Sequence, residues 1–146
     1  MKRMIVVAAL MLWAVMGNAV AGCPGVGDPT HITDIEAVLN GNLVCGQAGS
    51  DKWQEEHRTD GVLWERAKGP SDPVDPSHQV GTWGVTNNNS TDAQVCYYYS
   101  GGQSYCFALY DNGGGNYSFC NGGTEAATGN VMSIPAPADN ACGFYP

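Results

Sequence analysis

Charge is scarce in this chain, and positive charge scarcer still: 14% of the 146 residues are charged, with six Lys and Arg against fourteen Asp and Glu. Charge-driven disorder and charge-laced coiled coils both need more, since about a quarter is the ordinary share. A formal net charge of -8 and a pI near 4.5 leave little to attract nucleic acid or an anionic membrane surface. No apolar run beyond Met16 is long enough to cross a bilayer as a helix. There is no Cys-x-x-Cys pair and no Cys/His spacing of a zinc or haem site, so no metal or other cofactor is expected. His31, His57 and His78 lack the spacing of a shared metal site, and Asp72 and Asp75 lack the D-x-D-x-D-G frame of a calcium loop. No serine stands in a G-x-S-x-G turn, and no helical pattern follows Gly113-Gly114-Gly115 to cradle a phosphate.

What is present begins with a leader. Lys2 and Arg3 precede an apolar run from Met4 to Met16, and Ala19-Val20-Ala21 is the small-residue pattern of a signal-peptidase site. Residues 1–21 therefore read as a signal peptide and 22–146 as one exported domain, periplasmic or extracellular. Cleavage removes two of the six basic residues and none of the fourteen acidic ones. Val20-Ala21-Gly22-Cys23 also fits a lipobox, in which a lipid on Cys23 would anchor the protein. All six cysteines, Cys23, Cys45, Cys96, Cys106, Cys120 and Cys142, lie in the exported part, which in an oxidising compartment implies up to three disulfides.

The exported part opens on a Gly/Pro-rich lead-in, Cys23 to Pro29, that suits neither helix nor central strand. Thr33 followed by Glu36 has the form of a capping box, Ile35, Val38 and Leu39 make one apolar face, and Asn40-Gly41 stops the turn. A two-turn helix across the mouth or side of a sheet is expected. From Leu43 onward short strands alternate with turns: Leu43-Val44-Cys45, Lys52 to Arg58, Val62 to Lys68, Gln79 to Thr86, Gln94 to Ser100, Gln103 to Asp111, Tyr117 to Asn121, and a last one at Asn130 to Ile134. This spacing predicts a mainly β protein: an antiparallel barrel of seven or eight strands with one short helix, a sandwich being the alternative.

Two hairpins have readable registers. With Asp60-Gly61 as a two-residue turn, His57 faces Trp64, Glu55 faces Arg66 and Glu56 faces Glu65. With Gly101 at the centre of the next, Cys96 faces Cys106 and Tyr97 faces Tyr105. Val95, Tyr97, Tyr99, Tyr105, Phe107 and Leu109 then share a face, joined by Tyr117 and Phe119 if Leu109 pairs with Phe119. The expected bridges are Cys96–Cys106, then Cys45–Cys120 across the barrel closure, then Cys23–Cys142 tying the termini.

Asn40-Gly41-Asn42, Trp53, Asp60-Gly61, Gly81-Thr82-Trp83, Cys96, Cys106 and Tyr117-Ser118-Phe119-Cys120 follow one another in an order that resembles a group of small exported bacterial proteins with a G-T-W strand and a cysteine hairpin. The resemblance spans roughly Asp34 to Cys120. Gly81-Thr82-Trp83 is also loosely similar to the G-x-W element of calycin-like barrels, which include lipocalins and small bacterial inhibitors. What the resemblance implies is a small β-barrel, and it brings no catalytic residue.

The chemistry left to weigh is slight. Glu55, Glu56 and Glu65 offer a carboxylate pair of the kind a glycoside hydrolase needs, or simply a solvated polar face. Tyr97, Tyr99, Tyr105, Phe107 and Tyr117, with Trp83 nearby, either fill the core or line a pocket for a ring-shaped or apolar ligand. The expectation is a non-catalytic envelope or periplasmic protein that binds a small ligand or a protein partner. An inhibitor would use loops Gly69–His78 and Asn87–Asp92. The alternatives are a structural or assembly component that adds an edge strand or the arm from Gly123 to Pro146, and a hydrolase. Intact mass of the exported protein should correspond to a chain starting at Gly22; a mass starting at Cys23 with added acyl groups would establish the anchored form instead.

Overall fold

A computed structural model describes residues 22–25, 27–68, 77–135 and 140–144. The leader, the loop 69–76 and the stretch 136–139 fall outside the described residues. Helix α1 (Ile35–Leu39) precedes eight strands: β1 (Asn42–Ala48), β2 (Asp51–His57), β3 (Val62–Lys68), β4 (His78–Thr86), β5 (Gln94–Tyr99), β6 (Ser104–Gly113), β7 (Asn116–Asn121) and β8 (Thr124–Ser133). Each strand pairs antiparallel with the next, and β8 returns to β1, closing the sheet into a barrel. The protein is thus mainly β, an eight-stranded antiparallel barrel with one short helix and three disulfides.

The helix plugs one end. Ile35 and Leu39 are fully buried and join Leu63, Trp83, Val95 and Leu109 in the core. Its start differs from the expected Thr33–Glu36 box: the helix begins one residue later, so Asp34 is the cap and accepts from the Ala37 amide at 3.2 Å. Asn88 holds the plug in place, accepting from the Ile35 amide at 2.9 Å and donating to Asp34 Oδ1 at 3.0 Å. Asn87 and Asn89 flank it at φ 52° and 67°, a left-handed backbone that asparagine tolerates better than most residues. The Asn87–Asp92 loop therefore secures the closed end.

The hairpin from Cys96 to Cys106 has the expected register, with Cys96 opposite Cys106, Tyr97 opposite Tyr105, and Leu109 opposite Phe119. The β2–β3 register does not. Glu55 faces Glu65, Glu56 faces Trp64 and His57 faces Leu63, one residue away from expectation. The cause is the turn. The Gly61 amide bonds the Arg58 carbonyl at 3.0 Å with Gly61 at φ +78°, so the loop is Thr59-Asp60-Gly61, a three-residue turn ending in a left-handed glycine. The extra residue exchanges cross-strand partners along the whole hairpin.

Two expected bridges are also exchanged. The disulfides are Cys96–Cys106, Cys23–Cys120 and Cys45–Cys142. Strand β8, running from Thr124 rather than Asn130, lies between β1 and β7, so Cys45 and Cys120 stand two strand spacings apart. The lateral spacing is about 9–10 Å, and their partners on β8, Asn130 and Glu125, lie five residues apart along it, well beyond disulfide reach. Each instead captures a terminal segment on the outer wall. The N-terminal segment continues beside β6, where the Ile32 amide bonds the Leu109 carbonyl at 2.8 Å and the Thr30 carbonyl accepts from Asp111 at 2.8 Å. The C-terminal segment lies on β1 and β2, with Lys52 Nζ 5.3 Å from the centre of the Phe144 ring. The sulfur of Cys23 bonded to Cys120 is the one a lipid thioether would require.

No helix among the described residues is long and apolar enough to cross a membrane. Peptide mapping without reduction should return the pairs Cys23–Cys120, Cys45–Cys142 and Cys96–Cys106. Removing both Cys23 and Cys120 (each to Ala) should cost about 2–4 kcal/mol of unfolding free energy in urea titration, because each terminal bridge closes a loop with a sequence separation of 97.

Candidate functional site

Along β2 the side chains of Trp53, Glu55 and His57 alternate inward, and the outward residues Gln54 and Glu56 are accounted for elsewhere. Glu56 accepts from Arg58 at 3.0 Å, and Arg58 in turn lies 4.3 Å over the Trp64 ring on the outer wall. Gln54 Oε1 accepts from the Cys142 amide at 3.3 Å. Of the three glutamates considered for chemistry, Glu56 is therefore an outer-wall residue. The inward pair is Glu55 and Glu65.

Above the plugged end the barrel is not filled. A cavity of about 280 Å³ is lined by Trp53, Glu55, Tyr97, Tyr99, Tyr105 and Phe107, with Phe119 and the small residues Gly46, Ala126 and Ala127 completing the wall. Tyr105 points inward yet is 48% exposed, which marks the mouth at the end carrying the β1–β2, β5–β6 and β7–β8 turns. The rings form a tilted box: Tyr97 and Tyr99 stack at 6.4 Å, Tyr105 and Phe107 stack at 6.4 Å, and the two stacks meet at 52–62°. Glycines make the space. A Cβ at Gly46 would lie 2.3 Å from Trp53 Cε2, and one at Gly129 would lie 2.7 Å from Val44 Cγ1 and 3.1 Å from Phe119 Cε2. Side chains at either place would displace the lining rings.

Tyr97, Tyr99, Tyr105 and Phe107 are thus brought together as the shared face foretold. Trp83 and Tyr117 face inward but do not line the cavity. Trp83 belongs to the floor, donating its indole N–H to the Arg58 carbonyl at 3.1 Å and meeting His57 edge-on at 5.0 Å. Tyr117 packs on the far wall beside Gly129. Sequence reasoning missed Trp53 and the inward position of Glu55; the alternation Trp53, Glu55, His57 was the available signal, and the misread turn hid its partner Glu65. Of the expected contact loops, 69–76 falls outside the described residues.

Electrostatics divides the site into two levels. At the wall, Glu55 is 5% exposed and accepts from Tyr99 at 3.3 Å and from Trp53. Burial, reinforced by the Glu65 carboxyl opposite, pushes its acid constant up to about 8, so the pair holds a proton at neutral pH. Below it, fully buried His57 meets the Tyr97 hydroxyl at 3.0 Å through Nε2. Its Nδ1 makes no hydrogen bond of good geometry, the nearby Glu55 backbone opposing burial only weakly, and burial holds the ring neutral with an acid constant near 3. Burial first and the Glu55 charge second raise both Tyr97 and Tyr99, which stay as neutral donors. Among the described residues no three His, Cys, Asp or Glu gather as metal ligands.

No protein-family model, curated protein or solved structure matches this chain.

The two shifts have opposite linkage. Glu55 keeps its proton in the folded chain where the unfolded chain has lost it, so its contribution is full below about 4.5 and is lost as pH rises to about 8. His57 destabilises in the other direction, as pH falls from 6.5 toward 3. Glu55→Gln should therefore gain stability over the parent progressively from pH 5 to 8, by at most about 1.4 kcal/mol per pH unit, in urea titrations. A difference that does not grow with pH would mean that Glu55 ionises as freely folded as unfolded.

Proposed function

We propose that this protein is an exported, non-catalytic binding protein that holds a small molecule in the barrel cavity. The observation that carries the reading is the open, ring-lined space of about 280 Å³ in a barrel whose strand number allows either a side-chain filling or one small ligand. About 150 Å³ suffices for benzene, and ligand sites begin near 300 Å³, so the space suits a single ring or a compact group with a short tail. Three disulfides support an oxidising, exported setting. The assembly alternative has less support: β8 is paired on both sides, and Cys142 ties the C-terminal segment to β1.

The Glu55–Glu65 pair favours one second reading, a hydrolase. Its two carboxyls hydrogen-bond to one another. That is closer than the about 5 Å that a retaining glycosidase keeps between its acid and nucleophile, which argues for a shared-proton pair rather than a glycosidase pair.

Titration with indole or p-cresol, followed by NMR, should give saturable shifts confined to Trp53, Tyr97, Tyr99, Phe107 and their neighbours. Ala127→Phe, which places a ring in the cavity, should weaken binding at least tenfold while the variant still unfolds cooperatively. Shifts scattered over the outer wall, or binding that survives Ala127→Phe, would overturn the reading.

A further inference from the structure

The cavity wall also limits the chemistry of what enters it. Among the described residues its lining holds six aromatic side chains and one carboxyl, Glu55, and no Lys, Arg or His. An anion would find a wall of ring faces and a carboxyl with no positive partner. A neutral apolar guest would gain the contact of the rings and nothing from Glu55, whose carboxyl is already buried and hydrogen-bonded by Tyr99 and Trp53. A small organic cation gains twice, from the negative faces of the rings and from the carboxyl, both strengthened by the exclusion of water.

Resting on the binding role proposed above, we infer that the ligand is an organic cation, a quaternary or primary ammonium on a compact apolar body, seated among Trp53, Tyr97, Tyr99, Tyr105 and Phe107 with Glu55 as its counter-charge. In the empty cavity the Glu55–Glu65 pair carries a proton. On binding, that proton leaves to solvent, the pair takes its second negative charge, and the ligand's positive charge replaces it. No bond in the ligand changes.

The groups around Glu55 fit this exchange. Glu65 faces it from β3, Tyr99 and Tyr97 from β5, and Trp53 and His57 flank it on β2; Val44, its partner on β1, carries no titratable group. His57 is neutral, so it does not compete for the negative charge. Tyr99 and Trp53 donate to Glu55 and stabilise its ionised form, leaving burial first and the like charge of Glu65 second as what a bound cation must offset.

Choline and 3,3-dimethyl-1-butanol share a shape and differ in charge, one having nitrogen where the other has carbon. Calorimetric titration of the full exported protein with each, at pH 6, 7 and 8.5, separates charge from fit. Choline should bind at least tenfold tighter than the alcohol at pH 8.5, and its affinity should fall toward pH 6, where the proton must be expelled. Glu55→Gln should bring the ratio toward one. Glu65→Gln, which removes the like charge, should shift the rise in choline affinity to lower pH. Equal or tighter binding of the alcohol overturns the inference, as does a choline preference unaltered in Glu55→Gln. If neither compound binds but indole does, the cation is wrong and the binding role stands; if indole also fails, both fall.

Discussion

Pairing of β1 with β8, from Asn42 opposite Ser133 to Gln47 opposite Thr128, is the constraint on which the rest of the molecule depends. It turns a meander into a cylinder, removes both free sheet edges, and fixes the radius at the value eight strands allow. Within that radius, whether the interior is solid or hollow depends on side-chain volume. At the plugged end Ile35, Leu39, Leu63, Trp83, Val95 and Leu109 fill it. At the other end Gly46, Gly129 and Ala127 stand where large residues would meet, and the rings of Trp53 and Phe119 spread into the space those residues leave.

A buried pair of carboxyls is costly in such an interior, and its surroundings show how the cost is contained. One shared proton removes most of the repulsion between Glu55 and Glu65, and the hydrogen bonds from Tyr99 and Trp53 satisfy remaining oxygen lone pairs. One level down, His57 Nε2 and the Tyr97 hydroxyl pair as neutral groups. The polar interior is thus a column reaching from β2 and β3 to the hydroxyls of β5. A column of this kind does not strengthen the core, since well-packed apolar residues would serve at least as well there. Its placement beside an open cavity is what connects it with recognition.

The two long-range disulfides have a different task. Cys23–Cys120 and Cys45–Cys142 both join a terminal segment to the outer wall, and neither joins two neighbouring strands. Buried Ser118, Tyr110 and Cys120 on β6 and β7, and Gln54 on β2, lie on walls that these segments adjoin. A barrel this small has a modest core, and tethered segments extend its buried area while the bridges limit the unfolded chain.

Much of this was legible in the residues themselves. Within the strands from Val95 to Phe119 every second residue is apolar or aromatic, the cysteine hairpin pins its own register, and both signals are local, so the aromatic inner face and the Cys96–Cys106 bridge could be read directly. The β2–β3 register could not, because Asp60-Gly61 serves a two-residue turn and the end of a three-residue turn equally well, and one residue decides whether Glu65 is opposite Glu55 or Glu56. The terminal bridges depended on whether a strand lay between β1 and β7, and the weakly alternating Thr124–Gly129 stretch gives little local sign of one. By itself, then, the sequence determined the class, most of the strands and the inward rings of β5 to β7, since those follow from period-two alternation and near neighbours. Only the tertiary structure decided that the rings enclose a space, that the acid among them is Glu55 with Glu65 behind it, and that each terminus is bound to the wall. These depend on barrel closure and on the volumes meeting across it, between residues far apart in the chain.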